Sequence, residues 1–509
     1  MSEPGFALFA LLLGVPLAGA ILAGLLRGRA GDAVAVLAAL ATACVAGVLV
    51  LLHGAAGVIV RLGGLPVLDR AAGAPVPLFG FAIDPLSSIV LLGAVILGFV
   101  CVLYSVGYVG PGNRETPVSA DRRAYWFWML LFVMAMAGLA TSWTMAQMFV
   151  FWEITTVCSW ALIGFYDREF GALAAAQKAF LMTASGGLAL FATVLALLAL
   201  THSAGFDALS RLPVGLRGAA AGLTVLLLVG AWAKSAQVPF ETWLPSAMVA
   251  PSPVSAYLHA ASMVNAGVYL VLRVALANTL APGLWLAPTA LPMGIPWLIA
   301  AMAVLTLVIA VTQFFYQDDL KKLLALSTIS HLALVLLGAS LTMGGSLRAT
   351  QGAALHILAH GVGKALLFLS VGTLAYSAGT RRISQLSGVL ARAPVAAAGF
   401  LVGLLTVTGV PPFAGFWSKL LIVTGAVSLG GVGIVAGAIV LIESLVAFAW
   451  FLWVGMRVFL GPPSPAVEAM GPRPLAMELA LIVLMVLCIA ITGVAMPLAL
   501  AVWPGGFGG

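Results

Sequence analysis

The sequence predicts an all-α integral membrane protein with about fourteen transmembrane helices. Hydrophobic residues make up 63% of its 509 residues and charged residues only 8%, whereas soluble domains carry about 25% charged residues. Apolar runs long enough to cross a bilayer, roughly 20 residues each, recur along the whole chain with short loops between them. No room remains for a soluble domain.

Each predicted segment is an apolar run that ends at polar, Gly or Pro residues. The segments cover residues 5–26, 32–53, 84–109, 125–141, 143–165, 176–201, 217–238, 253–277, 294–316, 319–342, 349–377, 394–426, 430–459 and 474–503. No cationic region precedes the first segment, so we expect a retained helix rather than a signal peptide. The longest loop, 54–83, is rich in Gly, Pro and Val and is suited to a small hairpin outside the membrane.

Basic residues are distributed unevenly between alternate loops. With the N-terminus outside, the inner loops and helix ends hold Arg27, Arg29, Arg114, Arg122, Arg123, Arg168, Lys178, Lys321, Lys322, Arg381, Arg382, Arg392, Arg457 and Arg473. The outer ones hold Arg61, Arg70, Arg211, Arg217, Arg273 and Arg348. Because cytoplasmic loops are enriched in Lys and Arg, this bias predicts a multi-pass protein of the inner (cytoplasmic) membrane with its N-terminus outside. It also explains the net charge of +7 without a nucleic-acid partner.

The cysteines indicate no cofactor. Cys44, Cys101, Cys158 and Cys488 lie far apart on apolar segments, without the spacing of a metal site or cluster. We therefore expect no disulfide, metal ion, iron–sulfur cluster or haem, and no catalytic redox centre in this chain.

Lys234, Lys364 and Lys419 lie within predicted segments, as does Glu153. A lysine at the bilayer centre costs about 2.5–3.5 kcal/mol even on the lenient insertion scale, so polar neighbours or a wet interior must compensate. A structural ion pair between helices would explain a single such charge. Several of them together favour a path for protons or ions.

The stretch HILAHGVGKALLF places three titratable residues on one helical face. His356, His360 and Lys364 are spaced four residues apart, which stacks them along about 12 Å of helix. Histidine gains and loses a proton near neutral pH, so the pattern predicts a proton relay joined by water. His259 and His331 are further candidates on neighbouring segments, although packing explains each of them equally well.

Two predicted helices are interrupted by proline near a lysine. Lys234 precedes Pro239, and Lys419 follows Pro411 and Pro412. Proline breaks the helical hydrogen-bond ladder, and paired broken helices are typical of transporters built from inverted repeats. We therefore predict two inverted five-helix repeats, helices 4–8 and 9–13. The chain then divides into residues 1–110 (helices 1–3), 111–277 (first repeat), 278–460 (second repeat) and 461–509 (helix 14).

Five motifs between residues 84 and 425 carry a family resemblance. They are FVFWEITTVCSWALIGFY, AKSAQVPFETWLPSAMVAPSPVSAYLHAASMVNAGVYL, DDLKKLLALSTISHLALV, HILAHGVGKALLF and GVPPFAGFWSKLL. Together they resemble the antiporter-like membrane subunits of respiratory complex I, Mrp-type cation/proton antiporters and group 4 membrane-bound hydrogenases. The resemblance implies fourteen helices with inverted five-helix repeats, in agreement with the segments above.

The resemblance also implies roles for the buried charges. Glu153 and Lys234 match the family's glutamate–lysine pair, which is thought to change protonation during pumping. His356, His360 and Lys364 match its central relay.

Further positions match less central features of the family. His259 matches the polar position on the eighth helix, and Lys419 matches the lysine that releases protons to the far side. Asp319 and Lys321 match a charged turn that opens the tenth helix. Asn265 departs from the Mrp-type pattern, in which a lysine often stands there, so His259 or water must serve that region.

The sequence thus predicts a proton-translocating subunit of a multisubunit, redox-driven membrane complex, either complex I-like or of the membrane-bound hydrogenase type. Its expected partners are other membrane subunits and protons, with Na+ as the alternative ion. One alternative is an Mrp-type Na+/H+ antiporter subunit, and another is the proton-conducting membrane partner of an inorganic-carbon uptake system. A purely structural subunit with an inactive channel is disfavoured because Glu153, Lys234, Lys364 and Lys419 are all present.

Overall fold

The protein is a bundle of apolar helices. The computed structural model describes residues 3–63, 76, 78–118, 121–216, 218–260, 262–278 and 294–502. Within these ranges, twelve helices are long and apolar enough to cross a membrane. The predicted all-α, multi-pass membrane fold is therefore confirmed. The count of fourteen crossings, the inverted repeats and the division of the chain at residues 110, 277 and 460 stay predictions.

The N-terminal region contains three long helices and a small sheet. Helices α1, α2 and α3 span Glu3–Leu25, Gly28–His53 and Pro85–Tyr108. Strands β1 (Val58–Gly63) and β2 (Phe79–Ile83) pair antiparallel between α2 and α3, so a hairpin forms in the loop where the sequence favoured one. Residues 64–75 and 77 of that loop lie outside the described residues.

The middle of the chain contains the first interrupted helix. Its helices are α4 (Arg123–Ala140), α5 (Met145–Ile163), α6 (Ala172–Thr201), α7 (Ala219–Lys234), α8 (Trp243–Ser246), α9 (Ser252–Ala260) and α10 (Met263–Ala277). Short 3-10 turns lie at Val214–Leu216 and Ala247–Val249. Helix α7 ends four residues before the predicted position, at Lys234, because the chain approaching Pro239 leaves the helical path.

The C-terminal half contains the second interrupted helix. Its helices are α11 (Gly294–Phe314), α12 (Leu320–Met343), α13 (Leu347–Ala378), α14 (Pro394–Thr408), α15 (Ala414–Val427), α16 (Gly431–Phe459), α17 (Pro465–Glu468) and α18 (Leu475–Leu500). Turns of 3-10 type lie at Ile383–Gln385 and Val389–Ala391. The predicted segment 394–426 is thus divided into α14 and α15 at the Pro411–Pro412 pair.

The carbonyl groups freed at the first break find partners within the protein. Ser235 N and Gln237 N donate to Ala231 O and Trp232 O at 2.9 Å each, and Trp243 Nε1 donates to Ala233 O at 2.9 Å. Such compensation is required because irregular backbone at membrane depth is tolerated only where protein or water satisfies it.

Loops at the two ends of the bundle form two separate contact networks. At one end, which we call the basic face (loops 109–122, 315–319, 379–393 and 460–474), Arg381 pairs with Glu115 at 2.7 Å and with Asp319 at 2.8 Å. Burial lowers the pKa of Arg381, but these two carboxylates outweigh it and raise the pKa above its ordinary value. The guanidinium therefore stays charged and ties three loops together.

The opposite end, which we call the hairpin face, carries the β1–β2 sheet. Thr144 Oγ1 donates to Leu78 O at 2.5 Å, and Arg273 pairs with Asp84, the N-cap of α3. Arg273, which the sequence grouped with outer helix ends, is buried within α10. Arg70 and Arg217 from the same group lie outside the described residues.

Helices α12 and α13 form the centre of the bundle. The apolar windows of both are buried along their whole length, whereas only a third of the equivalent windows of α1, α11, α16 and α18 is buried. His331 on α12 and His356, His360 and Lys364 on α13 are consequently buried among other helices.

Candidate functional site

Three histidines form a cluster where α12 packs on α13. His331 Nδ1 lies 3.0 Å from His356 Nε2, and the two rings stack with centroids 5.2 Å apart. The His360 ring is 5.4 Å from that of His331 and 6.3 Å from that of His356. The structure therefore brings His356 and His360, two predicted members of the proton relay, together with His331, which the sequence indicated only as a further candidate.

His356 connects this cluster to the second broken helix. Its Nδ1 lies 2.8 Å from Ser418 Oγ on α15. Because the other ring nitrogen faces His331, His356 bridges two partners, and a neutral ring can donate to only one of them. A proton that arrives from one side therefore has an acceptor on the other. This is the geometry that a relay requires.

Lys419, the neighbour of Ser418, is held by a carboxylate that the sequence analysis missed. Lys419 Nζ lies 3.3 Å from Glu443 Oε2, 2.8 Å from Ser444 Oγ and 3.4 Å from Thr408 O, the last residue of α14. The ammonium thus lies at the negative end of a broken helix.

Glu443 connects α16 back to the histidine-bearing α12. Its Oε1 accepts a hydrogen bond from Ser330 Oγ at 3.2 Å, and Ser330 precedes His331. Glu443 is the single acidic residue of Gly431–Phe459, so a search for lone charges in apolar segments could have found it.

Lys364 lies one turn after His360 on α13, farther from the other two histidines. Its Nζ donates to Leu324 O on α12 at 3.3 Å and lies 5.6 Å from the centre of the Phe451 ring. The side chain is wholly buried. An aromatic face and a carbonyl oxygen both attract an ammonium group, so the lysine is accommodated without a carboxylate in hydrogen-bond contact among the described residues.

Lys234 lies at the first break and has uncharged partners. Its Nζ donates to Trp152 O at 2.9 Å and to Thr156 Oγ1 at 2.7 Å, and it lies 5.1 Å from the centre of the Trp152 ring. These contacts join the last residue of α7 to α5. Neither Trp152 nor Thr156 was singled out from the sequence, because neither carries a charge.

Glu153 does not form the ion pair with Lys234 that the family resemblance implies. No ion pair of Lys234 occurs among the described residues. Glu153 is half-buried, and its Oε1 has no hydrogen-bond partner in the described part of the chain. The carboxylate lies over Gly187 of α6, where a Cβ atom would come within 2.0 Å of Oε1.

His259 lies on α9, and its ring is 5.4 Å from that of Phe368 on α13 and 6.4 Å from that of Trp243. Among the described residues neither of its ring nitrogens has a hydrogen-bond partner. Asn265 donates to Ala260 O at 2.9 Å, so its amide binds backbone rather than the histidine.

The charged turn before α12 is a helix cap and a loop anchor. Asp319 accepts from Lys321 N at 2.9 Å and from Lys322 N at 3.2 Å, which satisfies the free donors of the first turn. The Lys321 side chain is buried and donates to Ala250 O at 2.5 Å. Asp319 therefore belongs to the basic face, and Lys321 contacts the segment that follows the first break.

Comparison with known proteins identifies the class. A family model described as "NADH:quinone oxidoreductase/Mrp antiporter, TM" matches residues 142–446. The fold and the buried titratable residues define a multi-pass membrane subunit of the antiporter-like class. The chain belongs to the NADH:quinone oxidoreductase/Mrp antiporter transmembrane family, which confirms the resemblance drawn from the motifs.

Two relatives correspond to the two kinds of protein in the description of the family. The Na+/H+ antiporter subunit A1 of Staphylococcus epidermidis is 32% identical over 386 residues, which are 72% of this chain and 46% of the relative. NADH-quinone oxidoreductase subunit L of Mycobacterium tuberculosis is 36% identical over 377 residues, which are 73% of this chain and 56% of the relative. The chain thus spans about half the length of the curated relatives it matches.

Two solved structures share the fold. A chain of the Mrp complex from a Dietzia species has a TM-score of 0.81 and 28% identity, covering 99% of this chain and 52% of its own. A chain of the membrane-bound sulfane sulfur reductase, an archaeal respiratory membrane complex, has a TM-score of 0.81 and 23% identity, covering 96% of this chain and 77% of its own. The second likeness concerns the fold alone.

Proposed function

We propose that this chain is the proton-translocating subunit of a multisubunit, redox-driven membrane complex, either complex I-like or of the membrane-bound hydrogenase type. The observation that carries the proposal is the buried contact series from His331 through His356 to Ser418, followed by the Lys419–Glu443 pair. Titratable side chains inside a membrane bundle are costly and typically mark proton relays.

The first break is proposed to supply this series with protons. Glu153 moves from Gly187 toward Lys234, where an opposite charge stabilises the protonated ammonium. When the carboxylate returns to Gly187, Lys234 keeps only its neutral acceptors and releases its proton toward His259. Lys364 and His360 then pass the proton to His331 and His356, and Lys419 releases it to the far side.

The proposed setting follows from the same features. Other membrane subunits supply the driving reaction, and the buried series of proton-titrating groups in this chain carries the protons. The excess of basic residues on one set of loops supports a cytoplasmic-membrane location with the N-terminus outside. The basic face is then cytoplasmic.

An Mrp-type Na+/H+ antiporter subunit is the second candidate. It is favoured by the 32% identity to an Na+/H+ antiporter subunit and by the match of 99% of this chain to a chain of an Mrp complex. The two candidates share the proton path and differ in what drives it.

Reconstitution of the complex purified through this chain separates them. The complex is placed in vesicles that contain a pH-sensitive dye, and its subunits are identified by mass spectrometry. The first candidate predicts proton movement when NADH with a water-soluble quinone, or reduced methyl viologen, is added without Na+. The second predicts proton movement driven by a Na+ gradient alone. Proton movement under neither condition contradicts the proposed function.

A further inference from the structure

Buried hydroxyl groups line the junction of α3, α9 and α13 near the basic face. We call this set the hydroxyl relay, and its members are Tyr104, Tyr108, Ser252, Ser255 and Thr373. Each of them is at most 1% exposed. Aliphatic or phenyl side chains would fill this space without burying polar atoms, so the hydroxyls invite a functional explanation.

The hydroxyls lie close enough to pass protons. Tyr108 Oη is 3.1 Å from Ser252 Oγ, and Tyr104 Oη is 3.0 Å from Thr373 Oγ1. A Cβ on Gly372 would be 3.0 Å from both Ser252 Oγ and Tyr104 Oη. These two oxygens are therefore at most twice that distance apart, a gap that one water molecule spans.

One end of the hydroxyl relay reaches the basic face. The ring of Tyr376 lies 6.1 Å from that of Tyr108, and Arg114 of the 109–122 loop donates from its backbone N to Tyr376 O at 3.0 Å. Ser255 Oγ also donates, at 3.5 Å, to Ala250 O, the carbonyl that accepts from Lys321 Nζ.

The other end points to His259. Ser252, Ser255 and His259 are spaced i, i+3 and i+7 along α9, so they lie on one face of the helix. Ser255 is one turn from His259, about 6 Å along the axis. The imidazole has no hydrogen-bond partner in the described part of the chain and is free to accept a proton.

We propose that the hydroxyl relay carries protons between the basic face and His259. Each hydroxyl accepts a proton on an oxygen lone pair and passes its own proton to the next oxygen, so no hydroxyl gains a net charge. The inference rests on the proposed function and adds to it a route by which protons from the basic face reach the middle of the path at His259.

Tyr108→Phe tests the relay, with Tyr125→Phe as the matched control. Tyr125 Oη makes a buried hydroxyl–hydroxyl bond of 2.7 Å to Ser105 Oγ, which is not a member of the hydroxyl relay, so Tyr125→Phe reports the structural cost of losing such a bond. We expect Tyr108→Phe to slow proton transport about tenfold and Tyr125→Phe to leave it unchanged. Equal rates for both variants would contradict the relay.

Lowering the pH on one side of the membrane at a time distinguishes a loss of proton conduction from a loss of packing. In vesicles that hold the complex in one orientation, lowering the pH at the basic face should restore the Tyr108→Phe rate, because supply of protons is then no longer limiting. Lowering it at the hairpin face should not. Rescue from both sides, or from neither, contradicts the relay. If the Tyr108→Phe complex fails to assemble, Ser252→Ala is tested in the same way. It removes the hydroxyl that contacts Tyr108 and changes a smaller side chain. Wild-type complex without proton transport would instead refute the proposed function.

Discussion

At the break after α14, the Lys419 ammonium lies 3.3 Å from the Glu443 carboxylate, whereas at the break after α7 the Lys234 ammonium has only uncharged oxygens as hydrogen-bond partners. Lys234 is the last residue of α7, and the Lys419 ammonium contacts the last carbonyl of α14, so each is near a helix C-terminus, where the dipole favours a cation. The cost of burying an ammonium group is therefore offset by different partners at the two breaks.

Under the proposed function, this difference gives the two breaks different tasks. At the second break a buried carboxylate contacts the lysine, so removing either partner would strand the other without its counter-charge. Neutral acceptors hold the Lys234 ammonium in place without fixing its charge. The nearby Glu153 carboxylate, which has no partner of its own on Oε1, is then available to alter that charge by moving.

The largest expected effect comes from removing each lysine in turn. Lys419→Met leaves Glu443 as an unpaired buried carboxylate and should lower the free energy of unfolding by about 3–5 kcal/mol. Lys234→Met leaves only neutral acceptors unsatisfied, which should cost about 1–3 kcal/mol. Thermal unfolding of the purified protein measures both.

A second substitution checks the cause of that difference. Adding Glu443→Gln to Lys419→Met removes the stranded charge and should recover part of the lost stability. Equal losses for the two lysine variants, or no recovery in the double variant, would mean that the two breaks are energetically alike.

The smaller expected effect concerns the resting place of Glu153. Gly187→Ala places a methyl group where the carboxylate lies, and overpacking of this kind costs about 1–3 kcal/mol. Gly222→Ala on α7 is the control, because a Cβ there has no atom within 4 Å. We expect Gly187→Ala to be about 1 kcal/mol less stable than the control by thermal unfolding.

Removing the carboxylate should remove the effect of that methyl group. In a Glu153→Ala background, the stability difference between Gly187→Ala and Gly222→Ala should disappear. A difference that persists would show that the methyl group meets something other than Glu153, and that Gly187 is not where the carboxylate rests.

The sequence was informative wherever a residue type was costly in its surroundings. Lys234, Lys364 and Lys419 stand out because charge is rare in apolar segments, and the spacing of His356 and His360 follows from helix geometry alone. Proline gave the location of both breaks, since no other residue removes a backbone donor.

The partners of these groups depend on tertiary packing, which spacing does not encode. Ser418 is an ordinary small residue in the sequence, yet its hydroxyl contacts the His356 ring across the interface between α13 and α15. Trp152 contributes a backbone carbonyl, which every residue carries. The Glu153–Lys234 pairing was expected from the resemblance, but the close fit of the carboxylate over Gly187 is a property of the α5–α6 contact.

The most direct test of the account is proton transport by complexes that carry changes at His356, the residue that contacts both His331 and Ser418. His356→Phe keeps an aromatic ring but cannot carry a proton, and His356→Gln keeps hydrogen bonding without titration. In reconstituted vesicles, with assembly confirmed for both variants, we expect His356→Phe to slow proton transport at least tenfold and His356→Gln to be milder because water can bridge to its amide. Wild-type transport rates for His356→Phe would contradict the proposed path through the histidine cluster.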